Sequence, residues 1–168
     1  MNEQQIEYLR LKPPVYEDDS SPDTIRFSDD EKNLIKSSDY PDYISDLDVD
    51  ARASAAAKAR HKLLYELYMK AKTDENDTLL NWVLNMLVNE TSCFVKSYVS
   101  KNIANKYFYE DAINQCYIII FREFSKIGSK LDKKNLSTLL IRPLQQEIPE
   151  MYNRTSDTCS PCKEENHE

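Results

Sequence analysis

The sequence predicts an all-α protein, and three observations lead to that fold class. Glycine occurs once in 168 residues, far below the typical usage of about 7%, and tight β-hairpins depend on residues that tolerate positive φ. Apolar residues recur at helical spacing through most of the chain after residue 50. Charged residues make up 30% of the chain, which is typical of a protein that folds in water.

Targeting and membrane-spanning segments are not expected. The first ten residues are mostly polar and lack the apolar core of a signal peptide. The most apolar stretch, residues 79–88, has ten residues, whereas a membrane helix needs about 20. Two of the four cysteines, Cys93 and Cys116, lie inside apolar helical stretches, as in reduced proteins rather than disulfide scaffolds. These features predict a cytoplasmic protein with no membrane partner.

The first 50 residues differ in charge from the rest of the chain. They carry 14 acidic and five basic side chains, a net charge of −9, whereas the remaining 118 residues sum to +2. They also contain four prolines and few apolar residues. This composition predicts a largely disordered acidic arm. The arm is either a solvated tail or a segment that covers the basic face of the body.

The body begins with two predicted helices. Residues 51–72 start with a run of alanine, which has the highest helix propensity, and apolar residues from Leu63 to Ala71 follow at helical spacing. Residues 73–77 form a polar break, and Asp77 is expected to cap the second helix. That helix starts near Leu79 and continues or restarts after the polar residues 89–92, reaching Ile103.

A third helix is predicted at residues 109–127. Glu110 and Asp111 occupy its first turn, where carboxylates are favoured by the helix dipole. Its apolar residues cover most of the circumference between Cys116 and Phe121, which predicts burial in a core or against a partner. A basic loop follows at 126–135. A last helix is predicted to begin near residue 136 and to end at Pro149. Pro143 should either lie in the first turns of this helix or kink it.

No catalytic site or cofactor is predicted. The chain lacks a glycine-rich phosphate loop, a nucleophile elbow and a paired histidine motif. Adjacent helical residues such as Glu110 and Asp111 point about 100° apart, so they would not converge on a substrate. Cys159, Cys162 and His167 give only three local ligands, whereas structural zinc sites take four, so no metal site is predicted.

Tyrosines and lysines alternate through the second half of the chain, and two interpretations stay open. The rings could stack on unpaired bases while the lysines hold phosphates. Alternatively, the tyrosines lie at the core boundary of amphipathic helices, with the ring buried and the hydroxyl in water. Composition alone favours the second interpretation.

Two segments resemble region two of bacterial RNA polymerase sigma factors. Residues 110–121, EDAINQCYIIIF, are similar to a motif in which an acidic pair is followed by two apolar residues, Gln, an acid and an apolar helix ending in an aromatic residue. Residues 136–148, LSTLLIRPLQQEI, are similar to the promoter-melting segment of that family. Residues 94–107 would form the first helix of the region.

The resemblance implies a compact helical domain at 51–153, similar to sigma factor region two, between the arm at 1–50 and a polar flexible tail at 154–168. It implies that the helix at 109–127 docks on a coiled coil of the largest subunit of core RNA polymerase, and that residues 126–146 face promoter DNA. The expected polymerase-binding residues are Asp111, Asn114, Gln115 and Tyr117. The expected DNA-binding residues are Lys130, Lys133, Lys134, Thr138, Arg142 and Gln145.

The chain departs from the family pattern at several positions. Asn114 stands where the family has Gln, and Gln115 stands where it has an acid. Leu136 and Leu139 replace a Phe and a Tyr, so the aromatic side chains that capture flipped bases are missing. Polymerase docking is therefore expected, rather than autonomous promoter melting.

Two functions follow as hypotheses. The first is a divergent sigma-like factor, or one half of a split pair whose separate partner supplies the DNA-reading helix-turn-helix domain, since none is found before residue 168. The second is a helical interaction or regulatory protein that never binds DNA and uses the acidic arm as its binding element.

Overall fold

The computed structural model describes residues 1–13, 27–37 and 39–158. Within these residues the backbone forms α-helices and two short 3-10 turns, so the predicted all-α class is confirmed. The 3-10 turns are Lys106–Phe108 and Gly128–Lys130. In chain order the helices are α1 (Glu3–Arg10), α2 (Asp29–Ser37), α3 (Asp42–Ser45), α4 (Val49–Thr73), α5 (Asp77–Asn102), α6 (Tyr109–Ile127) and α7 (Leu136–Thr158).

The core lies between the four long helices. Helix α5 packs against α4 and α6, and α7 packs against α6. Each helix contributes an apolar stripe at helical spacing. The buried residues include Leu64, Leu67, Val83, Leu87, Val95, Val99, Cys116, Ile120, Phe124, Leu140 and Leu144. Within the described ranges, none of the helices combines the length and the apolar character needed to cross a membrane.

Helices α4 and α5 agree with the predicted segments, with two refinements. The cap of α5 is Asn76, whose side chain accepts a hydrogen bond from the Leu79 N–H at 3.1 Å, so Asp77 is the first helical residue and not the cap. Helix α5 also runs unbroken through 89–92. There the buried Thr91 hydroxyl donates to the Leu87 carbonyl at 2.8 Å, which satisfies a polar group inside the core.

Helix α6 spans the predicted residues and ends beside the chain's one glycine. Gly128 has an ordinary right-handed backbone, with φ −58°. A Cβ at this position would lie 1.9 Å from Cε2 of Tyr65 on α4. Glycine is therefore required here by the close approach of a ring and not by backbone conformation.

Helix α7 contradicts the prediction that Pro149 ends the last helix, because it continues through both Pro143 and Pro149. Leu144, Ile148 and Tyr152 are buried at four-residue spacing, so packing on both sides of Pro149 offsets the backbone hydrogen bond that proline lacks. The helical backbone reaches Thr158, so the first residues of the expected flexible tail are helical. Cys159, Cys162 and His167 lie outside the described residues.

The described parts of the N-terminal arm also differ from the prediction, because they are helical and packed. Tyr8, Leu9 and Ile35 are buried in the same core as the body. Leu11 and Ile44 form a second buried cluster against the alanine-rich half of α4. Small alanine side chains leave room for these few apolar residues, so the arm docks despite its acidic composition. These described residues of the arm therefore share buried clusters with the body.

Candidate functional site

Helix α6 has a buried half and an exposed half. The buried half faces the core through Ala112, Cys116, Ile119, Ile120, Phe124 and Ile127. With a 100° step per residue, the centre of the opposite half is Ile118, which is 57% exposed. Asn114 lies one turn before it and is also exposed. A single exposed isoleucine is normal on a protein surface, so Ile118 counts toward a contact surface only together with the half-buried rings of Tyr117 and Phe121 beside it.

The predicted polymerase-binding residues lie around Ile118 but on two different edges. Asp111 is exposed, and its Oδ2 accepts a hydrogen bond of 2.6 Å from the Tyr152 hydroxyl of α7. Burial, together with this bond, raises the pKa of Tyr152. Gln115 lies one turn after Asp111 and is half-buried. Asp111 therefore has a structural partner that its position in the motif did not predict.

The other edge of α6 borders a groove against α5. The groove has a volume of about 540 Å³ and is lined by Val88, Ser92, Lys96, Tyr109, Glu110, Ile113, Asn114 and Tyr117. The Tyr117 ring stacks on Phe121, with centroids 6.4 Å apart. The structure thus brings Asn114 and Tyr117 together in one groove, while Asp111 and Gln115 lie on the side of α7.

The predicted DNA-binding residues are all exposed. Lys130, Lys133 and Lys134 follow α6 in a tight turn, where the Lys133 and Lys134 N–H groups both donate to the Lys130 carbonyl at 3.1 Å. Between them, Asp132 pairs with Lys62 of α4 at 2.7 Å, and this hydrogen bond lowers the pKa of Asp132.

Helix α7 carries the other three predicted DNA-binding residues. Thr138, Arg142 and Gln145 are spaced by four and three residues, which places them on one exposed face. Leu136, where the similar family has an aromatic residue, is buried in the core. It is therefore not available to stack on a base.

A buried charge cluster around Glu90 was not predicted from the sequence. The Glu90 side chain is 6% exposed. Its Oε1 accepts from the Tyr8 hydroxyl at 2.6 Å and from Arg60 Nε at 2.8 Å. Lys12 Nζ lies 3.4 Å from the same oxygen, and His61 Nε2 lies 3.2 Å from Oε2. We call these five residues the Glu90 cluster.

The Glu90 cluster is built to hold a charge and not to transfer a proton. Burial alone would raise the pKa of Glu90, but the hydrogen bond with His61 and the charges of Lys12 and Arg60 outweigh it and hold that pKa well below its usual range. A carboxylate with a low pKa is a weak base. Arg60 also donates to the Leu11 carbonyl at 2.8 Å, so the cluster fastens residues 8–12 to α4 and α5. No local pattern signals it, because Glu90 is 29 to 82 residues away from its partners along the chain.

Neither family models, curated proteins nor solved structures give a match to this chain. Its function must therefore be inferred from the surfaces that its own residues form.

Proposed function

We propose that this protein is a sigma-like transcription initiation factor, or one subunit of a split sigma factor, that binds core RNA polymerase. The contact is made by a surface that we call the α6 docking face. It consists of Asp111, Asn114, Gln115, Tyr117 and Ile118. The observation that carries the proposal is the exposure of Ile118 next to the groove that Asn114 and Tyr117 line.

The composition of the α6 docking face supports a protein partner. Protein interfaces commonly have an apolar centre and a polar rim, and a few central residues carry most of the binding energy. Ile118 supplies the centre, while Asn114 and Gln115 offer amide donors and acceptors at the rim. The groove beside Tyr117 gives room for a partner side chain.

Promoter DNA is the second proposed partner. It is contacted by a surface that we call the basic segment, which consists of Lys130, Lys133, Lys134, Thr138, Arg142 and Gln145. Lysines and arginines bind phosphates without reading sequence. Within the described residues, no ion pair engages the basic side chains of this surface. The burial of Leu136 supports DNA contact without base capture, so strand opening would depend on polymerase and on a separate helix-turn-helix partner.

Co-purification with core RNA polymerase tests the docking proposal. Ile118→Ser should weaken binding by at least about tenfold, because truncation of a central interface residue costs about 1.4 kcal/mol or more, and Asn114→Ala at the rim should weaken it by less. Ser125→Ala, on the same exposed half of α6 and outside the docking face, is the matched control. If wild-type protein fails to retain polymerase, or if the control weakens binding as much as Ile118→Ser does, the proposal is wrong.

The role of Asp111 needs its own control, because this residue also bonds Tyr152. Tyr152→Phe removes the internal hydrogen bond and leaves the carboxylate in place. If Asp111 contacts polymerase, Asp111→Ala should weaken binding and Tyr152→Phe should not. Equal losses would assign Asp111 to the fold alone.

Salt titration of DNA binding tests the basic segment. Each phosphate contact contributes about 0.9 to the slope of log K against log salt, so Lys133→Gln and Lys134→Gln should each lower the slope by about one. Lys101→Gln, an exposed lysine at the end of α5, should leave it unchanged. Polymerase binding combined with a flat salt response would instead support the alternative function, a helical interaction or regulatory protein that does not bind DNA.

A further inference from the structure

The turn between α3 and α4 exposes an unusual number of apolar side chains. Tyr43 is 53% exposed and Val49 is 74% exposed, and Leu47 between them is also exposed. Three of the exposed large hydrophobic residues in the described part of the chain thus fall within seven positions. Scattered exposed hydrophobics are normal, but a contiguous group is typical of a contact surface.

This turn is fixed by contacts beneath it. Ile44 is buried in the cluster with Leu11 and Ala56. The Arg52 guanidinium donates from Nη2 to the Ser45 carbonyl at 2.8 Å and from Nε to the Leu47 carbonyl at 3.0 Å. The backbone that carries the exposed apolar side chains is therefore anchored, and a pre-organised backbone loses less conformational entropy when it binds.

Each exposed apolar residue of this turn directly follows an exposed aspartate in the sequence. The nearest basic side chain in sequence is Arg52, which is engaged with backbone carbonyls. Asp48 is the N-cap residue of α4 but makes no side-chain cap hydrogen bond, although aspartate is among the preferred residues for that bond. Burial and the charge of Glu7 raise the pKa of Tyr43, which places Glu7 of α1 near the same surface. The exposed acids in the turn are Asp42, Asp46, Asp48 and Asp50.

We infer that this surface, which we call the acidic turn (residues 42–50), docks a basic amphipathic segment of a partner protein. The partner's apolar side chains would pack on Tyr43, Leu47 and Val49, and its lysines or arginines would pair with the surrounding aspartates. Charge complementarity selects this partner, because nucleic acids and anionic lipid surfaces would meet like charge here. The inference is independent of the α6 docking face and the basic segment.

Fluorescence anisotropy of the full-length chain with a labelled amphipathic peptide of leucine and lysine tests this inference. The wild type should bind this peptide at least tenfold more tightly than a peptide of the same composition in which the leucines are scattered. Leu47→Ser combined with Val49→Ser should weaken binding at least tenfold. Asp42→Asn combined with Asp46→Asn and Asp48→Asn should have a similar effect.

The matched control removes three acids from the other acidic turn, between α4 and α5. It combines Asp74→Asn, Glu75→Asn and Asp77→Asn, and asparagine is chosen at residue 75 because the backbone there has φ 52°, which asparagine tolerates. This variant should change affinity less than twofold. All the substituted side chains are exposed, so these variants should keep the fold, and circular dichroism checks that they do.

Three results would overturn the inference. The first is the absence of peptide binding by the wild type. The second is an equal loss in the control, which would show that only net charge matters. The third comes from sedimentation velocity: a wild-type dimer that dissociates when the three aspartates of the acidic turn are replaced would show that a second copy of this chain occupies the surface.

Discussion

Helix α4 is fastened to its neighbours along two edges by opposite means. On one edge, Arg60 and His61 join the N-terminal residues through the buried carboxylate of Glu90. On the other edge, Tyr65 lies against Gly128 and packs edge-to-face on Phe124, with ring centroids 6.0 Å apart. The first contact depends on paired charges, and the second depends on the small volume of the glycine that the Tyr65 ring lies against.

The two edges should therefore fail in different ways. Removing one member of a buried ion cluster leaves its partners charged and unpaired in a medium of low dielectric, which costs more than the bond itself contributed. Adding a methyl group to a close-packed edge forces side chains off their preferred rotamers. The charged edge should respond to pH, whereas the apolar edge should not.

The largest expected effect is at the charged edge. Glu90→Gln keeps the shape of the side chain but leaves Arg60 and Lys12 without their counter-charge, so it should lower the free energy of unfolding by about 3–5 kcal/mol. Urea denaturation followed by circular dichroism measures this. Glu66→Gln, at an exposed acid on α4, should change stability by no more than about 0.5 kcal/mol. A loss of similar size in both variants would mean that burial at Glu90 is not the cause.

Acid should then reduce the difference between wild type and Glu90→Gln. The folded-state pKa of Glu90 is depressed, so its contribution is complete above the unfolded-state pKa of about 4.3 and is lost as pH falls toward the folded value. The gap in unfolding free energy should narrow by about 1.4 kcal/mol per pH unit below about pH 4. Urea denaturation at a series of pH values measures it. A gap that stays constant with pH would contradict the ionised state of Glu90.

At the apolar edge, Gly128→Ala should destabilise the fold by about 1–3 kcal/mol, because the new methyl group overlaps the Tyr65 ring. The effect should be independent of pH between 4 and 8. In a Tyr65→Ala background the same substitution should cost less, and a double-mutant cycle measures the difference. Additive effects of the two substitutions would exclude a steric conflict between them.

The smallest expected effect comes from an ion pair at the surface, in a network that also includes Glu123 and Lys126. Arg122 of α6 donates to Glu147 of α7 from Nη1 at 2.9 Å and also from Nη2. Both side chains are open to solvent, so Glu147→Gln should cost only about 0.2–1 kcal/mol, and less in high salt. Urea denaturation at low and high salt measures it. A loss as large as that of Glu90→Gln would show that burial does not separate the two kinds of ion pair.

The sequence predicted what depends on local signals. The bounds of α6 agree with the prediction because an apolar stripe and two acids in the first turn mark them. The resemblance to sigma factor region two, and not helical periodicity, placed Asn114 and the residues of the basic segment at a surface, and these side chains are exposed. The continuation of α7 through Pro149 could not be predicted, because burial of Ile148 and Tyr152 against other helices overrides the local preference of proline.

Contacts between residues far apart in the sequence were also missed, because they depend on how the helices pack and not on local sequence signals. The hydrogen bond between Asp111 and Tyr152 joins residues 41 positions apart, and the sequence around either residue does not indicate the other. Residues 1–13 dock through contacts with Glu90, which lies far away in the sequence. The composition of the arm contains no sign of this partner, and it therefore predicted disorder. Ile118 belonged to a broad apolar run, and only the packing of α6 shows that it is exposed.

The Glu90 cluster also sets an order of events during synthesis. Tyr8 is made early, but its partner Glu90 is 82 residues further along the chain, which corresponds to roughly 4–16 s of translation at about 5–20 residues per second. An isolated helix as short as α1 is marginal in water, so it cannot hold its structure during that interval. The segment that closes this side of the molecule thus leaves the ribosome before α5 and has to wait for α5 before it can fold.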